Sequence, residues 1–298
     1  MQKQPTAAEV ENEIIKAAEY MGEKVKNAEI AFFGGSFTAI DRKYMLSLLE
    51  VAHTAVKKYG FLGIRCSTRP DAIDEEILDI LKAHSVTAIE LGAQSMIDRV
   101  LFMNDRGHTS EDVVKASALI KSFGFELGLQ MMTGLYASSA EDDMQTVDKL
   151  ISLHPDTVRI YPTITLGNTK LAELYGAGEY KPQSLNEAVE LCSEIIPLFE
   201  KEGIRVIRVG LHASEELDCR VAGPYHPAFR ELCNSEMLYK EISNKMTPGK
   251  EYTVRCNKKL HSAIVGQKKN NLLRWEKNGF GIRVRTDETV KDYIVEEM

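Results

Sequence analysis

Ala31-Phe-Phe-Gly-Gly-Ser-Phe-Thr38 is the stretch from which the fold can be read. An apolar run, Ile30 to Phe33, stops at Gly34 and Gly35; Ser36, Phe37 and Thr38 follow, and a helical pattern starts near Asp41. This order reads as a buried strand, a glycine turn and a helix. Glycine removes Cβ atoms where the backbone must turn sharply or approach a ligand closely. The backbone groups beyond it can then meet something polar. No Gly-Lys-Ser/Thr follows, so the stretch is not a P-loop, and it is not a GxGxxG fingerprint. Taken alone, it suits a plain strand–helix turn as well as a ligand cradle.

Working outward, the same rhythm repeats. Residues 6–26 read as a helix opened by a capping box, Thr6 with Glu9 three positions on. Glu29–Phe33, Gly63–Cys66, Thr87–Leu91, Phe125–Met132, Thr157–Tyr161 and Arg205–Gly210 read as strands. Tyr44–Tyr59, Asp74–His84, Ser110–Phe123, Ala140–Ser152 and Leu185–Glu202 read as the helices between them. Strands alternating with helices indicate βαβ units and a parallel sheet, hence an α/β protein. Nearly every strand ends in a polar or glycine-bearing turn: Gly-Gly-Ser-Phe-Thr38, Ser67-Thr-Arg-Pro70, Gly92-Ala-Gln-Ser95, Thr133-Gly134 and Pro162-Thr163. Such ends share one face of a parallel sheet, which is where ligands bind.

At 298 residues, with 44% hydrophobic and 27% charged residues, the chain has the composition of a globular protein that can bury a sizeable core. A formal charge of −7 argues against a protein that coats nucleic acid throughout. The charge is uneven, however. From Arg255 to Arg285 the positive residues Arg255, Lys258, Lys259, Lys268, Lys269, Arg274, Lys277, Arg283 and Arg285 stand against Glu276. No apolar run approaches the roughly 20 residues that span a bilayer, and residues 1–6 have no apolar leader character. The expectation is a cytoplasmic protein with no membrane partner. The five cysteines, Cys66, Cys192, Cys219, Cys233 and Cys256, have no CxxC or CxxxC spacing, so no metal site is expected from them. The seven histidines are scattered, and no Ser-His-Asp or Cys-His set can be argued from spacing. No catalytic residue is assigned.

Several polar residues stand out at the strand ends. Gln94 follows a buried strand and Arg106 lies in the next loop. A Gln that donates and accepts, beside a guanidinium fork, suits a zwitterionic or nucleoside ligand, and equally suits loop capping. Gln130 interrupts the apolar strand Gly128–Met132 and needs a partner, either a neighbour or a ligand. In the basic tail, Gly266-Gln-Lys-Lys269 precedes a helical stretch, Asn271–Lys277. It partly resembles the GxxG loop with which KH domains clamp a nucleic-acid backbone, with Lys269 in place of the second glycine. Lys258, Lys259, Lys268, Lys269 and Arg274 are the candidate RNA contacts; a solvated basic face is the competing reading.

Taken together, Gly34-Gly-Ser-Phe-Thr38, Ser67-Thr-Arg-Pro-Asp71, Glu90-Leu-Gly-Ala-Gln-Ser95, Met131-Met132, Arg159-Ile-Tyr-Pro-Thr163, Gly167-Asn-Thr169 and Leu174–Tyr180 occur in order over residues 6–210. In this the chain resembles radical S-adenosylmethionine (SAM) proteins, especially those related to the Elongator catalytic subunit. Val209-Gly-Leu-His-Ala213 and Gly223-Pro-Tyr-His-Pro227 look like the C-terminal extension of bacterial members. The resemblance implies a partial (β/α)6 TIM-like barrel at residues 1–212, followed by a small basic α+β appendage at 213–298. It implies SAM across the strand ends, with Gly34, Gly35, Ser36, Ser67, Gln94, Arg106 and Gln130 around it, and substrate near Arg159 and Tyr161. Ser67 falls where relatives often have Glu, and Gln130 where related enzymes have Asp. The family's Cys-xxx-Cys-xx-Cys loop, which binds a [4Fe–4S] cluster, follows the first barrel strand; these residues contain neither. The expectation is therefore a barrel lacking its first strand and its cluster ligands, from a truncated chain. In complete form it would be an enzyme acting on RNA or tRNA, reduced by a flavodoxin or ferredoxin. The alternative is a non-catalytic nucleoside- and RNA-binding protein derived from the same barrel.

Overall fold

The computed structural model describes residues 4–211 and 215–298. Contacts divide the chain into two compact units, Met1–Ile160 with Phe199–Ile207, and Tyr161–Leu198 with Arg208–Met298.

In the first unit, α1 (Ala7–Met21) leads to β1 (Glu29–Phe32), α2 (Arg42–Tyr59), β2 (Gly63–Thr68), α3 (Glu75–Ala83) and β3 (Val86–Gln94). Helices α4 (Asp98–Met103) and α5 (Ser110–Ser122), then β4 (Glu126–Thr133), α6 (Ala140–Ser152) and β5 (Thr157–Pro162), continue the series. The remaining elements are β6 (Thr165–Leu166), α7 (Lys170–Gly176), α8 (Leu185–Lys201), β7 (Arg205–Val209) and β8 (Arg220–Ala222). They are followed by α9 (Phe229–Ser243), β9 (Glu251–Cys256), α10 (Lys258–Val265), α11 (Asn270–Lys277), β10 (Gly281–Thr286) and β11 (Tyr293–Glu297).

Six strands form a curled parallel half-barrel in the order β1-β2-β3-β4-β5-β7. The alternation of side chains along a strand explains its two faces. One set, including Ile64, Cys66, Ile89, Leu91, Leu127, Leu129, Val158 and Ile160, is fully buried. Helices α2, α3, α5 and α6 pack on these strands, and bury Leu49, Leu78, Leu81, Ile120, Val147 and Leu150. Each such aliphatic side chain contributes roughly 1.5–3 kcal/mol. The other set, which includes Arg65, Glu90, Gly128, Gln130 and Arg159, is polar or small and faces the inside of the curl. β1 is an edge strand among the described residues, paired with β2 from Glu29↔Gly63 to Phe32↔Cys66.

Local signals set the helix starts. Capping boxes open α1 (Thr6 with Glu9), α5 (Thr109 with Asp112) and α6 (Ser139 with Asp142). Helix α1 ends earlier than its apolar pattern suggests: Gly22 adopts φ 54° and a 3-10 segment, Gly22–Asn27, completes the approach to β1. Strand β3 runs three residues beyond the sequence expectation, to Gln94. Between β6 and α8 lies α7, capped by Thr169.

In the second unit, β6 and β8 pair antiparallel. A three-stranded sheet, β10-β9-β11, has β10 parallel and β11 antiparallel to β9. The basic tail is thus a packed α+β element. Tyr252, Val254 and Cys256 alternate inward from Thr253 and Arg255, and join Tyr239, Ile242, Ile264 and Trp275 in one core. Strands β9 and β11 are not evident in the sequence, because Arg255 and the acids of β11 mask a weak alternation. His212 and Ala213 lie outside the described residues.

Candidate functional site

The C-terminal ends of β1 to β4 carry the residues singled out from the sequence. After β1 the chain turns at Gly34, whose φ of +99° needs glycine. Gly35 has no such φ, and a Cβ built on either residue meets nothing within 4 Å. Both glycines are exposed, so the turn is open on that side. Two contacts hold its shape. Phe37 stacks on Phe32 with ring centroids 4.5 Å apart. The buried Thr38 hydroxyl donates to the Ala72 carbonyl at 2.6 Å, and its oxygen lies 2.6 Å from Thr68 Oγ1. Thr38 ties the glycine turn to the end of β2, a role the sequence does not announce. Ser36 and Ser67 are half-buried beside these ties.

Gln94 ends β3 with φ +63°. The β3–β4 register shifts between Leu91 and Gln94, and the Gln94 side chain folds back over Gly92, whose Cβ would lie 2.7 Å from Gln94 Nε2. There Gln94 Oε1 accepts from Gln130 Nε2 at 3.2 Å. The two glutamines expected at a ligand are thus partners of each other, which leaves Gln94 Nε2 and Gln130 Oε1 for further bonds. Arg106 lies in the loop before α5. Its Nε is buried with no hydrogen-bond partner among the described residues. Burial, with the Arg69 guanidinium nearby, lowers its pKa below the ordinary arginine value. An unpaired buried guanidinium nitrogen is costly unless something anionic meets it. His108 fixes this loop: its Nδ1 lies 3.2 Å from the Arg106 carbonyl, and its Nε2 3.2 Å from that of Ala93.

Below the strand ends, the inside face carries a charge ladder. Glu90 is 2% exposed and accepts the Arg159 fork at 2.6 and 3.0 Å. Arg65 reaches Glu29 at 3.0 Å, Glu126 at 2.9 Å and Glu90 at 3.5 Å, the last without hydrogen-bond geometry. Arg205 adds a 3.1 Å contact to Glu126. Gly128 makes room for this, since a Cβ there would stand 2.6 Å from Glu90 Cγ. Arg159, expected near substrate, is therefore held from below by Glu90, while its guanidinium lies 4.7 Å from the Phe33 ring centroid. Tyr161 is half-buried and belongs to the second unit.

The loop after β4 rests on Asp143, a residue the sequence reading left aside. Its carboxylate accepts from Gly134 N–H at 3.0 Å and from Ser138 Oγ at 2.8 Å. Burial nevertheless pushes its pKa up from 3.8 to about 6. A raised carboxyl pKa favours the folded state while protonated. This contribution is complete below pH 3.8 and is lost as pH rises through about 6. Asp143→Asn is expected to remove that slope. Parallel denaturation midpoints for parent and variant across this window would contradict it.

Of the candidate RNA contacts, Lys258 and Lys259 open α10, and Lys268 and Lys269 sit between α10 and α11, all exposed and without an ion pair among the described residues. Arg274 differs: it forks onto Glu236, with one bond at 3.0 Å, and stacks 3.7 Å over the Tyr239 ring. Its charge is already matched.

The cradle fits SAM on three counts: open space over Gly34 and Gly35, amide groups at Gln94 and Gln130, and an unpartnered guanidinium nitrogen for a carboxylate. A [4Fe–4S] cluster does not fit the residues present. Cys66, Cys192, Cys233 and Cys256 are buried and Cys219 is exposed. Burial raises the Cys66 thiol pKa to about 12, far from the thiolate a cluster needs. Among the described residues no three His, Cys, Asp or Glu side chains meet as a metal-holding group, and no helix is long and apolar enough to cross a membrane.

Comparison with known proteins identifies the family. The radical SAM superfamily model matches residues 3–150, and the radical SAM C-terminal domain model matches 155–239. The tRNA uridine(34) acetyltransferase of Methanocaldococcus jannaschii is 30% identical over 199 residues, 60% of this chain and 37% of its own length. Human Elongator complex protein 3 is 28% identical over 243 residues, 75% of this chain and 44% of its own. This chain thus spans less than half the length of these curated relatives. The solved structure of the archaeal Methanocaldococcus infernus Elp3 with an N-terminal deletion is 25% identical, with a TM-score of 0.67 over 80% of this chain and 59% of that one.

Proposed function

Since the chain belongs to the radical S-adenosylmethionine superfamily, we propose that its half-barrel holds SAM across the C-terminal strand ends in an Elongator-like protein whose substrate class is tRNA. The observation that carries the SAM reading is the buried, unpartnered Nε of Arg106 on the face that holds the open turn at Gly34 and Gly35. The tRNA reading rests on relatives named for tRNA modification and for the Elongator complex.

In this reading the backbone at Gly34, Gly35 and Ser36 receives the amino end of the methionine moiety, and Arg106 meets its carboxylate. Gln94 and Gln130, already bonded to each other, offer their remaining amide groups to the nucleoside. Ser67 lies at the end of β2 as a further polar contact. In this superfamily SAM supplies radical chemistry when a reduced cluster cleaves it. The described residues of this chain do not form that cluster's ligand set. A second reading, for which the exposed lysines Lys258, Lys259, Lys268 and Lys269 speak, is a nucleoside- and RNA-binding barrel that performs no turnover.

Calorimetric titration with SAM tests the site. Arg106→Ala removes a charge-assisted bond worth about 1.5–3 kcal/mol, so affinity is expected to fall roughly 10- to 150-fold. Arg106→Lys keeps the charge but not the fork, and is expected to recover only part of it. Equal affinity in parent and Arg106→Ala would remove the site. To separate the two readings, the gene product purified from its native host, with whatever sequence flanks these residues there, is supplied anaerobically with iron, sulfide, reductant and tRNA. Release of 5′-deoxyadenosine supports an enzyme, and SAM binding without release supports the binding protein.

A further inference from the structure

The order β9, α10, Gly266–Lys269, α11, β10 is strand–helix–turn–helix–strand, with β10 parallel to β9 from Gly281↔Glu251 to Thr286↔Cys256. In KH modules a four-residue loop between two helices clamps a nucleic-acid backbone. The sequence meets that pattern at Gly266 and departs from it at Lys269. The structure shows how the departure is accommodated: Lys268 adopts φ 51°, ψ 31° and Lys269 adopts φ 63°, ψ 24°, both in the left-handed region that glycine would occupy.

We propose that this turn and the groove beside it form a clamp for the sugar–phosphate backbone of a single-stranded nucleic acid. The proposal deepens the tRNA reading above and rests on its nucleic-acid component. Three observations carry it. First, the turn is held in place by the fold itself. Asn271, 2% exposed, places Nδ2 and its two hydrogens 3.0–3.3 Å from four acceptors, the carbonyls of Ser235, Ala263 and Ile264 and Ser235 Oγ. Gly266 must be glycine here, because a Cβ would lie 2.9 Å from Asn271 Cγ. Second, the groove between α9, α10 and the turn measures about 990 Å³. Leu232, Leu238, Leu260 and Val265 give it apolar wall, and Lys259, Lys268 and Lys269 line it as well. Third, these lysines and Lys258 are exposed and unmatched among the described residues, and of the two acids lining the groove Glu241 already accepts from Lys245 and Tyr293, which leaves the exposed Glu231 on α9 against the lysines. Cations beside an apolar groove suit phosphates beside unstacked bases. A duplex keeps its base faces hidden and offers nothing to the apolar wall.

Fluorescence anisotropy on the full chain tests this, with labelled oligo-U, oligo-dT and a blunt duplex of equal length, over a range of salt. Four lysines on phosphates predict a log–log salt slope near −3, from about −0.7 per phosphate on a single strand. Lys268→Ala/Lys269→Ala is expected to make the slope shallower by about 1.4. Lys269→Gly, which fits the left-handed backbone without strain, is expected to shift it by about half as much while keeping the turn. Far-UV circular dichroism verifies that each variant is folded. SAM titration of the same samples is expected to be unchanged, since none of these lysines lies at the cradle. Preference for both single strands over duplex supports the clamp; preference for oligo-U alone supports it with the ribose hydroxyl as part of what is read. Equal binding of duplex, or unaltered slopes in both variants, overturns it. If tRNA still binds in that case, the tRNA reading survives alone. If no nucleic acid binds at all, clamp and tRNA reading fall together while the SAM site stands.

Discussion

Replacing Glu90 with alanine is expected to lower the stability of the first unit by about 3–5 kcal/mol. The reason lies in what the substitution leaves behind. Glu90 is 2% exposed and takes both arms of the Arg159 guanidinium, and Arg65 stands 3.5 Å away. Around them Glu29, Glu90 and Glu126 balance Arg65, Arg159 and Arg205. Removing one carboxylate strands positive charge inside the curl of the sheet, where water compensates poorly. Glu90→Gln keeps the volume and one acceptor, and is expected to fall between parent and alanine variant. Chemical denaturation followed by far-UV circular dichroism measures the change. A loss under about 1 kcal/mol would mean that the ladder is solvated like a surface ion pair. Because Arg159 is the candidate substrate residue, Glu90→Ala is also expected to loosen its guanidinium over the Phe33 ring.

Trp275→Ala is the second large effect, again about 3–5 kcal/mol, in the second unit. Trp275 is fully buried, stacks on Tyr239 with centroids 5.1 Å apart, and donates from Nε1 to Ser243 Oγ at 2.7 Å. Truncation would open a cavity the size of an indole, strip Ser243 of its donor and loosen the face of Tyr239 on which Arg274 stacks. It is the only tryptophan in the chain, so its own fluorescence reports unfolding of this unit in the parent. In the variant, circular dichroism and protection of the β9 amides from hydrogen exchange take over. Unchanged protection at Tyr252 and Val254 would show that the three-stranded sheet does not depend on this core. The clamp is expected to suffer too, since Asn271, which locks the turn, lies one helical turn before Trp275 on α11.

These two effects mark the reach of the sequence. Glu90 and Arg159 are 69 positions apart, and nothing at either position names the other. Their pairing needs β3, β4 and β5 to lie side by side, with Gly128 as the gap between the two long side chains. Arg274 was read as one cation among many, yet Glu236, 38 positions upstream, already matches it. Gln94 and Gln130 each needed a partner by their burial, and only the irregular end of β3 made them partners of each other. The contacts of Asp143 and Thr38 could not be read from the sequence, because an aspartate early in a helix and a threonine after a turn have ordinary local explanations.

What the sequence determined by itself was everything whose cause lies within a few residues. This covers the capping box at Thr6, the glycine turn at Gly34, the strand–helix rhythm that demands a parallel sheet, and the ordered motifs of the superfamily. Such features arise from bonds and dihedral preferences between near neighbours, which composition and spacing record. Tertiary structure alone decided which polar groups are satisfied and which remain free. Among the described residues Arg106 keeps an unpartnered nitrogen while Arg159 and Arg274 fork onto carboxylates, and Lys268 and Lys269 stand unpaired in a turn locked by Asn271. Satisfaction of a buried polar group depends on the register of distant strands and on the faces of packed helices, and a linear order of residues carries no record of either.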